Sequence, residues 1–317
     1  MLNVIRRGVR CFEAVTPQAG WRPDPDVVWI DLLNPTREEE LAVEAALGLD
    51  LPTQKEMEAL EPSSRLYQES SATFMTATLV ARSREETPTT MQATFVLTGG
   101  RLVTLRYEDL RAFEIFAERA RPDDIASGVT ALLGLMDAIV ERLAELIDME
   151  SDRVEEASKA IFSRPQAGNF RPLMTALAHA QSVTSMIRSA LVSLARLLSY
   201  SGLAPEVLGD PECRAHLDSL QRDAQSLTEQ ASHQSNHIAF LLDAALGLIN
   251  IEQNGIIKFF SVVAVVFLPP TLVASIYGMN FDHMPELHWM MGYPMAIGLM
   301  VASAVLPVLW FKARGWL

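Results

Sequence analysis

The sequence predicts an α+β domain, then a bundle of long helices, then two C-terminal membrane-spanning helices. Three observations carry that assignment. Residues 1–122 hold short β-rich runs separated by turn residues, the pattern of a small sheet with helices packed on it. Residues 123–254 hold apolar side chains at helical spacing with few breaks. Residues 259–277 and 289–311 contain no charged side chain. Each run is about the 20 residues that cross about 30 Å of hydrocarbon. A soluble core helix of that length keeps a polar stripe, and these two do not.

The elements follow in chain order. Residues 27–32, Val-Val-Trp-Ile-Asp-Leu, read as a strand. Thr36 and Glu39 then have capping-box spacing ahead of a short helix. Residues 73–80, 93–97 and 102–105 read as further strands, with Gly99 and Gly100 as the hairpin turn between the last two. Val129, Leu132, Met136, Ile139, Leu143, Leu146 and Ile147 recur at helical spacing, and Glu141, Glu145, Asp148, Asp152 and Glu155 occupy other positions of the same helix. Residues 163–169 break it, and a second helix from about 172 to 198 completes an antiparallel hairpin. A third begins near Pro211. There Leu217, Leu220, Ala224, Leu227, Ala231, Ile238, Leu241, Ala245 and Leu248 keep a heptad pattern with one omission, at Gln234. No proline occurs from Glu212 to Leu268, so one helix of roughly 85 Å is expected to become the first span.

This reading divides the chain into a cytosolic α/β domain (1–122), a cytosolic long-helix region (123–254), a first transmembrane helix (255–277), a periplasmic loop (278–288), a second transmembrane helix (289–311) and a basic tail (312–317). Lys258 precedes the first span, and Lys312 and Arg314 follow the second. The loop carries Asp282 and Glu286 and no Lys or Arg. Positive-inside bias therefore places both termini in the cytosol. Tyr277, Trp289 and Trp310 fall at the expected interfaces. The first residues lack the apolar core of a signal peptide, so the soluble part is expected to stay inside.

Composition excludes several classes. A net charge of −13 argues against nucleic-acid binding and is compatible with attracting cations. Cys11 and Cys213 form no Cys-x-x-Cys pair, which suits a reducing compartment. No His-Glu-x-x-His, Gly-x-Ser-x-Gly or phosphate-loop signature occurs, so neither an enzyme nor an ATP-driven pump is expected. His233 and His237 have i, i+4 spacing without a nearby third ligand, and helix-surface histidines account for them.

On the first span, steps of three and four from Asn254 select Ile257, Ser261, Ala264, Leu268, Thr271, Ser275 and Gly278. Such a stripe serves close helix packing or lines a wet path. Pro269 and Pro270 deprive the carbonyls of Val265 and Val266 of helical partners, which favours the wet path. Two spans cannot enclose one, so a pore requires several copies in a closed ring. Asn280 then either caps its own helix or joins a ring of carboxamide oxygens at the outer mouth. Magnesium gives up its waters reluctantly, and amide oxygens accept hydrogen bonds from those waters while holding the ion weakly enough for release. Gly278 permits close approach, and Asp282 and Glu286 concentrate cations outside.

Tyr-Gly-Met-Asn at 277–280, followed by Met-Pro-Glu-Leu at 284–287 and a second span, resembles the CorA family of magnesium and cobalt transport proteins, of the enterobacterial type. Ile-Asn-Ile-Glu-Gln-Asn at 249–254, residues 267–275, Gly-Tyr-Pro at 292–294, Trp-Ile-Asp-Leu at 29–32 and the final Trp-Leu extend the likeness over essentially the whole chain. The resemblance implies a homopentameric funnel in the bacterial inner membrane. It implies Gly278, Met279 and Asn280 as the selectivity filter receiving hydrated Mg²⁺, with Asn254, Leu268 and Thr271 lining the pore alongside Ser275 of the stripe. The family stripe passes through Phe260 where the heptad selects Ser261. Mg²⁺ is implied as both substrate and regulator, with Co²⁺ and Ni²⁺ as further substrates. Asp218, Asp223 and Glu229 are candidate regulatory carboxylates, against a solvated helix face. A zinc-transporting branch keeps Gly-Met-Asn but usually departs from Met-Pro-Glu-Leu. The reading of another class is a membrane-anchored helical adaptor whose spans are only anchors.

Overall fold

The computed structural model describes the chain except residues 10, 11, 19, 60, 62, 63, 70, 83–87, 164–169, 281–283, 316 and 317, and the side chains of 122, 286 and 287. It forms two compact units, Met1–Leu242 and Asp243–Leu317.

The first unit is built on seven strands: β1 (Leu2–Arg6), β2 (Glu13–Val15), β3 (Val27–Leu33), β4 (Leu66–Glu69), β5 (Ala72–Ala81), β6 (Thr89–Thr98) and β7 (Arg101–Arg106). Their spatial order is β2-β1-β3-β7-β6-β5-β4. Only β3 and β7 pair in parallel, with Trp29 opposite Leu102 and Asp31 opposite Thr104. Both faces of the central strands are buried, so β3 reads as a continuous apolar run rather than an alternation. On one face Ile30, Leu32, Val96 and Val103 pack with Val43 of α1 (Arg37–Leu47) and Met57 of α2 (Gln54–Ala59). On the other, Trp29 and Phe95 meet α3 (Arg111–Arg119) and α4 (Gly128–Phe162) through Phe113, Phe116 and Leu132. The box at Thr36 and Glu39 closes as the spacing predicts, each side chain bonding the other's backbone N–H.

A buried polar chain ties the parallel pair together. Trp29 Nε1 donates to Thr104 Oγ1 at 2.9 Å, and Thr104 Oγ1 donates to Asp31 Oδ1 at 2.7 Å. Arg106 donates to the two Asp31 oxygens at 3.1 and 2.9 Å, and its guanidinium lies 4.2 Å from the Phe113 ring centre. Asp31 is 1% exposed and Arg106 4%. A desolvated pair of this kind is tolerated because every oxygen of Asp31 is met.

Behind the sheet, α4 runs antiparallel to α5 (Arg171–Ser201), the short α6 (Pro205–Leu208) follows, and α7 (Pro211–Tyr277) begins. Leu217, Leu220, Ala224 and Ala231 of α7 join the same core as α4 and α5. Gln234, the position at which the heptad skips an apolar residue, is itself buried. The stripe is therefore continuous, with an amide in it. Glu150 and Thr184 are buried as well, and Gln181 Nε2 donates to Ser235 Oγ at 2.8 Å. Burial raises the Glu150 carboxyl above the usual carboxylate range, although Arg153 Nη1 donates to it at 2.6 Å.

In the second unit α7 ends at Tyr277, a 3-10 turn spans Pro285–His288, and α8 covers Gly292–Ala313. The span predicted from 289 thus starts as helix at Gly292, because the Gly292 N–H turns back to Trp289 O at 2.9 Å.

Two outcomes are expected. Arg106→Met strands the Asp31 carboxylate in the core and should cost about 3–5 kcal/mol, read as a lower melting temperature of the full chain in detergent. A carboxyl whose pKa is raised by folding contributes stability that is complete below its unfolded pKa and is lost as pH rises through the folded one. Glu150→Gln should therefore raise the melting temperature at about pH 7 and leave it unchanged at about pH 4.

Candidate functional site

The second unit has little core of its own. Among the described residues two helices are long and apolar enough to cross a membrane, and the most apolar stretch of α7 contains no buried residue. Phe260 and Leu268 are 65% and 66% exposed. Such large, contiguous apolar surfaces require cover by lipid or by other chains.

Pro269 and Pro270 do not end α7, which is helical on both sides of them. Thr271, next in sequence, donates its hydroxyl to Phe267 O at 2.7 Å, and Ser261 likewise donates to Ile257 O at 2.8 Å. The hydroxyls thus supply hydrogen bonds to the helix's own carbonyls, as Ser and Thr do in apolar surroundings. The carbonyls met in this way are those of Ile257, a full two turns before the prolines' partners, and of Phe267, the residue after Val266, and not those of Val265 and Val266. With its proton committed, Thr271 presents only lone pairs outward.

Asn254, Leu268, Thr271, Ser275 and Gly278 are all exposed on α7. They form a stripe that drifts around a straight helix by about 20° per heptad. Helices meeting along such a stripe wind about one another with a left-handed twist.

At the end of α7 the Gly278 N–H bonds Ala274 O at 2.9 Å and the Met279 N–H reaches Ile276 O at 3.3 Å. A Cβ on Gly278 would lie 2.9 Å from Ala274 O, so this turn has no room for a side chain. The helix therefore closes through Gly278. Asn280 is exposed, and its carboxamide makes no hydrogen bond to the described residues. Of the two roles open to it, capping its own helix is not the one it occupies here. Gly278, Met279 and Asn280 stand together at this end of the helix, while Asn254 lies several turns away on α7.

Asp282 and His283 lie outside the described residues. Glu286 falls within the turn Pro285–His288, where only its backbone is described. Asp218, Asp223 and Glu229 are exposed on α7. No group of three or more His, Cys, Asp or Glu placed to hold a metal ion occurs among the described residues.

Residues 24–313 match the family model described as CorA-like Mg²⁺ transporter protein. The Magnesium transport protein CorA of Haemophilus influenzae is 36% identical over 292 residues, 92% of each chain. That of Escherichia coli is 36% identical over 298 residues, 93% of this chain and 94% of the other. The solved CorA magnesium transporter from Methanocaldococcus jannaschii has the same fold, with a TM-score of 0.78 at 18% identity over 100% of this chain and 99% of that one. The chain belongs to the CorA-like Mg²⁺ transporter family.

Proposed function

We propose that the protein admits hydrated Mg²⁺ through a pore formed by a ring of identical subunits, a homopentamer, in the bacterial inner membrane. The observation that carries this is the Asn280 carboxamide, exposed at the end of α7 and without a hydrogen bond to the described residues. One such oxygen per subunit makes a neutral ring that accepts hydrogen bonds from the ion's first-shell waters. The outward lone pairs of Thr271 extend the same chemistry along α7. Leu268 and Phe260 supply apolar levels at which the path closes by dewetting. Cytosolic Mg²⁺ favours that closure, and Co²⁺ and Ni²⁺ follow the same route as hydrated divalent ions.

Both termini lie in the cytosol, supported by Lys258, Lys312 and Arg314 on one side of the spans and none of their kind in the loop. The membrane potential supplies the driving force. At an assumed ~100 mV, inside negative, two charges gain roughly 4.6 kcal/mol on entry, at ~2.3 per charge. That is over about a thousandfold in equilibrium concentration, so uptake needs no nucleotide.

Liposomes containing the purified protein should take up Mg²⁺ at a rate that grows with inside-negative voltage and does not require a proton gradient. Asn280→Ala should lower the flux at least about tenfold while the oligomer survives size-exclusion chromatography. Gly278→Ala should do the same by displacing the turn. Unchanged flux in the Asn280 variant would leave the spans as anchors, and preferential Zn²⁺ entry would assign the chain to zinc transport.

A further inference from the structure

The space between α5 and the edge of β5 carries chemistry that ion conduction does not use. Ser189, Ser193 and Arg196 recur at i, i+4 and i+7, so they share one face of α5. That face closes over β5 where the strand has lost its neighbour. Strand β4 pairs with β5 only over Ala72 to Met75. Beyond it the Thr78 N–H donates instead to Ser193 Oγ at 2.9 Å. From the opposite wall Arg65 Nη1 donates to Thr78 Oγ1 at 2.9 Å. The cavity measures about 120 Å³ and opens to solvent past Ser189, Val192 and Arg196, which are exposed, while Ser193 is half-buried.

Its wall is rich in donors and poor in acceptors. Ser193 Oγ accepts from Thr78, which leaves the hydroxyl hydrogen for another partner. Thr78 Oγ1 accepts from Arg65 and donates its own hydrogen to Gln92 Oε1 at 2.8 Å. Ser189 and Arg196 make no hydrogen bond among the described residues. No Asp or Glu lines the cavity among those residues, in a chain whose net charge is −13. The Arg196 guanidinium and the two serine hydroxyl hydrogens match an oxyanion with several acceptor oxygens, and the positive charge of Arg65, already engaged with Thr78, lies on the opposite wall. Val192 and Arg196 also border a groove of about 600 Å³ between α5 and α7. That groove has room for the organic part of a phosphate ester.

We propose that this cavity binds a phosphate group, either as the free anion or as the end of an organic phosphate lying in the groove. The full-length protein in detergent is titrated with inorganic phosphate and, separately, with magnesium-free adenosine triphosphate at constant ionic strength. Binding is read by calorimetry. Saturable binding is expected, weakened at least about tenfold by Arg196→Gln and less by Ser193→Ala. Arg188→Gln, on the exposed surface of α5 and outside the cavity, should leave it unchanged. Tighter binding of the nucleotide assigns an organic phosphate, and equal binding assigns the free anion. Binding that chloride reproduces at the same ionic strength, or that survives Arg196→Gln, overturns the site. So does a parent protein that binds neither probe while Arg196→Gln disrupts subunit assembly, since the space would then seat a carboxylate of a neighbouring copy.

Discussion

The apolar surface of the last turns of α7 and most of that of α8 lies uncovered by the described residues, and the rest of the molecule answers to that constraint. In water such surface costs about 25 cal/mol per Å². In hydrocarbon the cost disappears, but every backbone donor and acceptor must then be met inside the helix. Long helices meet both demands, and α7 continues even through Pro269 and Pro270. Ser261 and Thr271 bond back to their own turns rather than outward. What lipid cannot satisfy are the amides of Asn254 and Asn280 at either end of the stripe. Other copies of the chain, with water between them, can.

The proposed ion site and the proposed phosphate site differ in polarity for a physical reason. A hydrated dication turns only hydrogens outward, so its surroundings must offer lone pairs. Asn280 and the hydroxyl of Thr271, already spent as a donor, do this without the grip of a carboxylate. The cavity beside α5 is arranged the opposite way, with donor hydrogens of Arg196 and Ser193 turned to it and the oxygens of Thr78 and Ser193 already accepting. In both places the hydrogen-bond direction, more than the residue type, determines what the site can hold.

Most of the architecture was legible in the sequence. Periodicity identified α4, α5 and α7 because their apolar stripes are long. Gly99 and Gly100 marked the β6–β7 hairpin, and Thr36 with Glu39 marked the start of α1. Strands β1, β2 and β4 escaped, since five residues or fewer do not establish an alternation, and β1 is buried on both faces. Gln234 read as a gap in the heptad although it occupies the core, because type does not reveal burial. At the proposed ion path, Gly278, Met279 and Asn280 stood out through their place between two charge-free runs. The back-bonding of Thr271 did not, because a stripe records which face a residue shares and not where its proton goes. Ser189, Ser193 and Arg196 read as a solvated helix face, and the bond from the Thr78 N–H of β5 to Ser193 Oγ is not visible in the sequence.

The clasp between Asp31 and Arg106 has a consequence for how the chain matures. β3 reaches its parallel partner only after three other strands and two helices have been made, a contact of high sequence separation that is slow to form. During synthesis, which proceeds from the N-terminus, Trp29 and Asp31 leave the ribosome well before Arg106. Until then an indole and a carboxylate destined for the interior stay in water beside an open strand edge. During that interval the edge of β3 that β7 will cover is open to pairing with another chain.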